Sequence, residues 1–387
     1  MIMKKLLLSF CFITFVSLSA FSQDTNSELL KKLVEKNILT QEEANELIND
    51  GTEKKPNNII QKGSKKINDI FSNTPYFRLG GYGMLMYQYR QYNPSHHNLS
   101  ARVIFISASG QLTDNLRYFI LGELTDPMIY EYYAEWSPLK ELKIRGGQFK
   151  VPFSLENPLS LTTLETVVNT RTISALVGMT DDPLYLTNNH NKTGRDLGFQ
   201  LSGSLFNQGK HDLIQYAFGM FQGQGMNVSD RNNNKDFAGT LTVQPINGLK
   251  VAGGIYLGDV TYRKAGNYDE ENHVRNRWAL SAEYTSKNLY ARSEWIHGND
   301  GGISKEGLYG TAMYYFIPKM NIMGKVDYYN QNKDYNSEVM DYTIGLNYYF
   351  FNDCRFMINY TFSDYSRKWK DTHRSENTVF AQMQIVF

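Results

Sequence analysis

Long apolar runs are missing from this sequence. Beyond residue 22 nothing approaches the roughly 20 consecutive apolar residues that a membrane-spanning helix requires. A chain with no such helix has one remaining way to cross lipid, a closed β-barrel whose backbone hydrogen bonds are all satisfied between strands. Cysteine is also scarce. Of the 2 cysteines, Cys11 lies in the N-terminal apolar segment. Once that segment is removed only Cys354 remains, which excludes an intramolecular disulfide. An excess of one charge sign is absent too: 40 basic against 39 acidic residues give a net charge of +1. That balance excludes a simple electrostatic case for nucleic-acid binding. Proline is sparse at 10 residues, whereas aromatics are plentiful, with 27 Tyr and 22 Phe. A soluble chain of 387 residues would usually divide into two or three domains. One closed barrel is the main way to use so much β-structure as a single unit.

The N-terminus has the layout of a secretory signal peptide, residues 1–22. Lys4 and Lys5 form its charged region and Leu6 to Leu18 its apolar region, which is too short to span a bilayer. Small residues in Ala20-Phe21-Ser22 place cleavage before Gln23. Leu8-Ser9-Phe10-Cys11 departs from a lipoprotein signal, because Phe10 is too large and Cys11 sits inside the apolar segment. Residues 23–50 are expected to hold a short periplasmic helical hairpin. Leu29, Leu30, Leu33 and Val34 recur at helical spacing, and Thr40-Gln41-Glu42-Glu43 forms a capping box ahead of Ala44, Leu47 and Ile48. So short an apolar stripe does not make a stable monomeric domain, which leaves self-association in an oligomer or a frayed appendage. Residues 51–74, rich in Lys, Asn and Gly, read as a linker.

From residue 75 the pattern changes to period two. Met340, Tyr342, Ile344, Leu346 and Tyr348 alternate with Asp341, Thr343, Gly345 and Asn347. Val379, Ala381, Met383, Ile385 and Phe387 alternate with Thr378, Gln382 and Gln384. One face suits lipid and the other water. The region divides into sixteen strands, at about 76–90, 101–112, 116–125, 129–137, 141–149, 195–206, 212–222, 236–245, 248–258, 276–286, 288–297, 307–318, 320–330, 339–350, 354–365 and 377–387. Tight turns such as Asn352-Asp353 alternate with longer polar segments such as 91–100, 223–235, 259–275, 298–306, 331–338 and 366–376. The expected fold is an all-β, 16-stranded antiparallel transmembrane barrel over 75–387, in the outer membrane, with short periplasmic turns and longer outer loops. Sixteen strands leave an aqueous channel. The connection over 150–194 is far longer than the others and is expected to be functional, folding into the lumen or lying outside as a lid.

Several other patterns point to no chemistry. Gly203 to Lys210 departs from a phosphate loop by one residue of spacing and by His211 where Ser or Thr is required, so it reads as a strand end and turn. His96-His97 has no third metal ligand nearby and reads as solvated loop. Tyr130, Tyr132 and Trp136 read as one face of an aromatic girdle rather than a sugar-stacking platform. No nucleophile–base arrangement stands out, so neither enzyme activity nor a cofactor is expected.

Four segments in order carry a family resemblance: Gly146-Gly147-Gln148-Phe149-Lys150-Val151-Pro152-Phe153-Ser154-Leu155-Glu156; Gly194-Arg195-Asp196-Leu197-Gly198-Phe199-Gln200-Leu201-Ser202-Gly203; Lys235-Asp236-Phe237-Ala238-Gly239; and Gly345-Leu346-Asn347-Tyr348-Tyr349-Phe350. Together they resemble the phosphate-selective porin O/P family. The 37–44 segment, Asn-Ile-Leu-Thr-Gln-Glu-Glu-Ala, resembles that family's helical preface. The resemblance implies a trimeric 16-stranded porin whose third loop narrows the pore, with arginines drawing anions toward a lysine-rich site. It also implies insertion into outer-membrane lipid by the barrel-assembly machinery, which reads a terminal aromatic like Phe387.

Fixed positive charge at a narrow, partly dehydrated point is what anion selectivity requires. Arg78, Arg90, Arg102, Arg117 and Arg145 fall on the water-facing register, and Lys150, Arg171 and Lys192 lie in or beside the long loop. Arginine suits phosphate through its planar fork. Further lumen cations are expected at Lys143, Lys250, Arg277, Arg292, Lys325 and Arg355, opposed by Glu123, Glu131, Glu135, Asp196, Glu283, Glu294, Asp327 and Asp341. The loop has no dense lysine cluster, and Glu156, Glu165, Asp181 and Asp182 oppose its cations. The expectation is passive diffusion of small hydrophilic solutes with weak anion preference. The rival expectation is a structural or partner-binding barrel whose loop plugs the channel.

Overall fold

The structure, a computed structural model, describes residues 75–91, 95–178, 194–230, 232–263, 270–371 and 374–387. The chain divides into two units, Met1–Phe71 and Ser72–Phe387. The expected signal peptide, helical hairpin and linker lie outside the described residues, as do Asp181, Asp182 and Lys192.

Sixteen antiparallel strands close into one barrel. They are β1 (Arg78–Arg90), β2 (His96–Thr113), β3 (Leu116–Glu123), β4 (Met128–Leu139), β5 (Leu142–Lys150), β6 (Arg195–Asn207), β7 (Asp212–Phe221) and β8 (Asp236–Ile246). Then come β9 (Leu249–Arg263), β10 (Glu270–Thr285), β11 (Leu289–Asp300), β12 (Ile303–Ile317), β13 (Met320–Asn332), β14 (Ser337–Phe351), β15 (Cys354–Tyr365) and β16 (Ser375–Val386). Each strand pairs with its sequence neighbours, and β1 closes on β16 from Tyr82↔Val386 to Arg90↔Thr378. Reciprocal backbone bonds between Gly81 and Phe387, at 2.9 and 3.0 Å, extend that seam. Closure removes every unpaired strand edge, which is why so polar a chain is able to stand in lipid.

Alternation decides which face meets what. In β14, Tyr342, Ile344 and Leu346 point outward while Asp341, Thr343 and Asn347 are buried inside. Phe199, Leu280, Ile255, Trp278 and Ile358 belong to the same outward apolar surface. Left in water, each such side chain would forgo roughly 1.5–3 kcal/mol of burial, so this face is built for hydrocarbon. No described helix is long and apolar enough to cross a membrane; the strands do so.

Four of the segments read as loops are partly strand. The 259–275 segment is largely the extended ends of β9 and β10, paired out to Glu270↔Arg263. The 298–306 segment is a tight hairpin, with Asp300 opposite Ile303 across Gly301-Gly302, both at positive φ. Between β13 and β14 there is only a 3-10 turn, Lys333–Tyr335. The 91–100 segment gives way to β2 at His96, so His96 and His97 are strand residues, the latter in a 2.7 Å hydrogen bond with the Tyr87 hydroxyl. Polar residues occupy both alternating positions of these outer strand ends, so alternation disappears from the sequence although pairing continues.

Two bulges shift the register, and one of them reverses an expectation. Between β3 and β4 the register skips Tyr130, turning it inward against Phe105 at 4.8 Å and beneath the Arg195 guanidinium at 5.2 Å. Tyr130 therefore leaves the expected girdle, whereas Tyr132 and Trp136 stay on the exposed outer face. Between β1 and β2 the register skips Arg102, whose side chain reaches the lumen. Gly203 to Asn207 end β6 and lead into a turn, in keeping with the sequence reading.

Candidate pore constriction

The connection after β5 runs through the barrel interior over residues 151–178, held there by polar contacts with the inner wall. Its start is fixed locally. Val151 N–H donates to the Gly194 carbonyl at 3.0 Å, and the Asn157 side-chain amide spans both the Val151 and Gly194 carbonyls, at 2.9 and 3.2 Å. Gly194 has φ +62°, and a Cβ there would meet the Asn157 amide at 2.3 Å, so glycine is required. Phe153 then packs on Tyr256 of β9, and Thr240 of β8 donates to the Pro152 carbonyl at 2.9 Å.

Three charged anchors follow. Glu294 of β11 accepts the backbone N–H groups of Leu155 and Glu156, at 2.7 and 2.9 Å. Arg292, also on β11 and 0% exposed, bridges the loop carboxylates of Glu156 at 3.1 Å and Glu165 at 2.9 Å. Its Nε donates to the Tyr309 hydroxyl at 2.8 Å. Glu156 Oε1 in turn accepts the Thr170 N–H at 2.9 Å, which ties the two arms of the loop together. The third anchor is a six-residue helix, α1 (Arg171–Leu176), capped by Thr170, whose hydroxyl accepts from Ile173 N–H. No helix is expected from the sequence in this connection; the Thr170 cap is its local signal.

The α1 helix docks on β13 and β14. Asp327 accepts the Arg171 N–H at 2.5 Å and the Thr172 hydroxyl at 2.7 Å. Asp341 takes the Arg171 guanidinium through two bonds, at 2.7 and 3.0 Å. Burial opposes the charge on Arg171, but the hydrogen bond and attraction of Asp341 outweigh it and raise its pKa above the ordinary value. Beyond these, Arg355 donates to the Leu164 carbonyl at 2.8 Å, Asn359 accepts Val167 N–H at 2.6 Å, and Arg277 donates to the Leu176 carbonyl at 2.8 Å. Ile173, Leu176, Ile296 and Tyr309 add an apolar seam beneath the helix.

The side chains singled out by sequence divide between two tasks. Arg102 donates to the Val167 carbonyl and to Gln382 at 2.9 Å, and Lys150 donates to the Leu159 carbonyl. With Arg171, these hold the loop. Arg117 and Arg145 flank Glu135, at 2.6 and 2.5 Å, and Arg145 lies 4.3 Å over the Tyr133 ring. Arg117 remains half-exposed. Arg78 stands exposed at the start of β1, and Arg90 is half-buried at its far end beside Gln88. Lys143 lies on β5 in register with Ser202, half-buried, with no ion pair among the described residues. The structure thus brings Arg117 and Arg145 together and disperses the rest.

Sequence reading missed a buried cluster. Arg275, Arg277 and Lys305 converge on Asp300, at 3.5, 2.7 and 2.9 Å. Arg275, Asp300 and Lys305 fell in segments read as loop, so their inward register was not legible.

The profile of the family described as "Phosphate-selective porin O and P" matches residues 80–387. No curated protein sequence matches the chain. Among solved structures, an anion-selective porin from Comamonas acidovorans superposes with a TM-score of 0.61 at 14% identity, covering 80% of this chain and 99% of that one. A trimer form of OmpT, an outer membrane protein of Vibrio cholerae, gives 0.57 at 11% identity, covering 81% and 100%. OmpF of Salmonella typhi, solved in complex with daunomycin, gives 0.56 at 15% identity, covering 80% and 97%. With the matched region spanning nearly the whole barrel, the chain belongs to the phosphate-selective porin O and P family, and is an outer-membrane channel protein.

Proposed function

We propose that this porin passes small hydrophilic solutes by diffusion, with a weak preference for anions, and that the loop over 150–194 sets its narrowest point. The observation that carries this reading is the balance of basic and acidic side chains on the two sides of the lumen. On the wall formed by β3 to β5 and the start of β6, Arg117, Lys143, Arg145, Lys150 and Arg195 stand against Glu123, Glu131, Glu135 and Asp196. Five basic residues against four acidic ones leave a slight positive excess, and Arg117 and Lys143 are its most accessible members. Around the anchors on β11 and β13–β15, Arg171, Arg292, Lys325 and Arg355 stand against Glu156, Glu165, Glu294, Asp327 and Asp341, four against five. Arg275, Arg277 and Lys305 also outnumber Asp300, but all four are buried, so positive charge in contact with water lies mainly at Arg117 and Lys143.

The relatives named above support the reading by analogy: one is anion-selective and another forms a trimer. A homotrimer that has no enzymatic activity, enters outer-membrane lipid through the barrel-assembly machinery and passes small anions among other solutes is the corresponding proposal. Planar-bilayer recordings across a KCl gradient test it. A reversal potential of the sign for chloride, small in size, is expected; a clear cation preference would overturn it. Closed bilayers with correctly inserted protein would instead favour the plugged-barrel reading.

A further inference from the structure

A cavity of about 620 Å³ opens between α1 and the inner wall of β13–β16 and β1. It is within the roughly 300–1,000 Å³ typical of small-molecule sites. Its position is beyond the constricting loop, toward the end carrying the longer connections, where Trp369 and Lys370 of the β15–β16 loop line it.

We propose that this vestibule binds a neutral, polyhydroxylated solute of mono- to disaccharide size before it passes the loop. This rests on the channel reading above and names a solute class that reading leaves open. Three features point to it. First, Trp369 turns into the barrel instead of joining the outer aromatic surface. It is held against Tyr329 at 5.9 Å and 73° and against Tyr365 at 6.0 Å and 49°. The Trp369 backbone N–H donates to the Ser366 carbonyl at 3.0 Å, which fixes the turn that presents the ring. An immobilised indole offers an apolar face at low entropic cost, the counterpart of the C–H face of a pyranose ring.

Second, the surface around that ring is rich in neutral hydrogen-bonding groups: Asn169, Ser174, Thr343, Thr361, Ser363 and Thr378. Hydroxyl and amide groups both donate and accept, which matches the dual character of sugar hydroxyls. Third, the charged residues in the cavity are engaged with one another. Arg171 is held by Asp341 at 2.7 Å and Lys370 by Glu376 at 3.2 Å, while Lys325 lies near enough to Asp327 to attract it. With Arg90 the count is four basic to three acidic residues. A free inorganic anion finds little net attraction there, whereas a neutral solute pays no charge-desolvation cost on entry.

The test uses the full chain in planar bilayers, with maltose added on the long-loop side and block read relative to open-channel current. Reversible maltose block is expected. Trp369→Ala should raise the half-blocking concentration about tenfold, equivalent to ~1.4 kcal/mol, and Trp369→Phe by less. Thr361→Val, which leaves the aromatic group in place, should raise it as well. Channels that conduct but show no maltose block overturn the inference, as does block unaltered by Trp369→Ala in a barrel that keeps its heat-dependent gel shift. Block by inorganic phosphate alone would overturn it in favour of an anion site. Absence of conductance would overturn the channel reading instead. In that case maltose-dependent tryptophan fluorescence of detergent-solubilised protein, present in the parent and lost in Trp369→Phe, decides the site separately.

Discussion

The two sides of this lumen use the same residue types for opposite purposes. Along β11–β16, basic and acidic side chains are spent on holding a segment of the same chain: Arg292 on Glu156 and Glu165, Asp327 and Asp341 on α1, Arg355 on the Leu164 carbonyl. Along β3–β5, Arg117 is half-exposed, Lys143 has no ion pair among the described residues, and Glu135 is shared by two arginines. The difference shows that lumen charge and permeation charge are separate quantities. A cation buried at 0% exposure between two carboxylates orders a loop, but offers nothing to a passing ion. Only cations in contact with water contribute to the field an ion feels, and that field fades over about 8 Å at physiological salt.

The comparison breaks most severely at Arg292. Arg292→Met leaves Glu156, Glu165 and Glu294 facing one another without a cation. Removing one partner of a buried ion pair typically costs about 3–5 kcal/mol. The expected outcomes are a lower temperature for the heat-dependent gel shift and noisier, larger single-channel conductance as the loop loosens. Unchanged stability and conductance would mean that the anchor carries no load. Asp327→Asn comes next, because its carboxylate accepts three α1 donors, the Arg171 and Thr172 N–H groups and the Thr172 hydroxyl, that an amide retains only in part. Hydrogen bonds to a charged group are worth roughly 1.5–3 kcal/mol each, so conductance noise should rise without loss of the barrel. Within α1, Arg171→Ala should have a smaller effect than Arg292→Met, since Arg171 is 31% exposed and solvent already weakens its pair.

On the opposite wall, Lys143→Gln should leave thermal stability unchanged while moving the KCl reversal potential toward zero, and more so at low salt. The same substitution at Lys325, buried beside Asp327, should shift selectivity less. Smallest of all is Lys235→Ala, which removes an exposed pair with Asp230 in the β7–β8 connection. Neither gel shift nor conductance should change beyond error.

Much of the barrel was legible because lipid enforces a strict rule on one face. Where that rule applies, as in Tyr342-Thr343-Ile344-Gly345-Leu346, strand and register are both readable. Where it lapses they are not. The outer ends of β9–β12 carry polar residues at both alternating positions and read as loop, so the inward positions of Arg275, Asp300 and Lys305 were invisible. Bulges are a second limit, since one skipped residue reverses the face of its neighbours; Tyr130 was misassigned for that reason. The site was less legible than the fold. The water-facing register does identify candidate cations, but not which of them a loop some 190 residues distant in sequence will neutralise, as Leu164 and Arg355 illustrate.

The central claim is that weak anion preference arises from the wall opposite the anchored loop. The most direct test compares KCl-gradient reversal potentials of the parent channel and an Arg117→Gln, Lys143→Gln double variant under identical low-salt conditions. A small anion-type potential in the parent that collapses toward zero in the double variant is predicted. An anion preference that survives both substitutions, or a parent channel that favours potassium, would contradict the account.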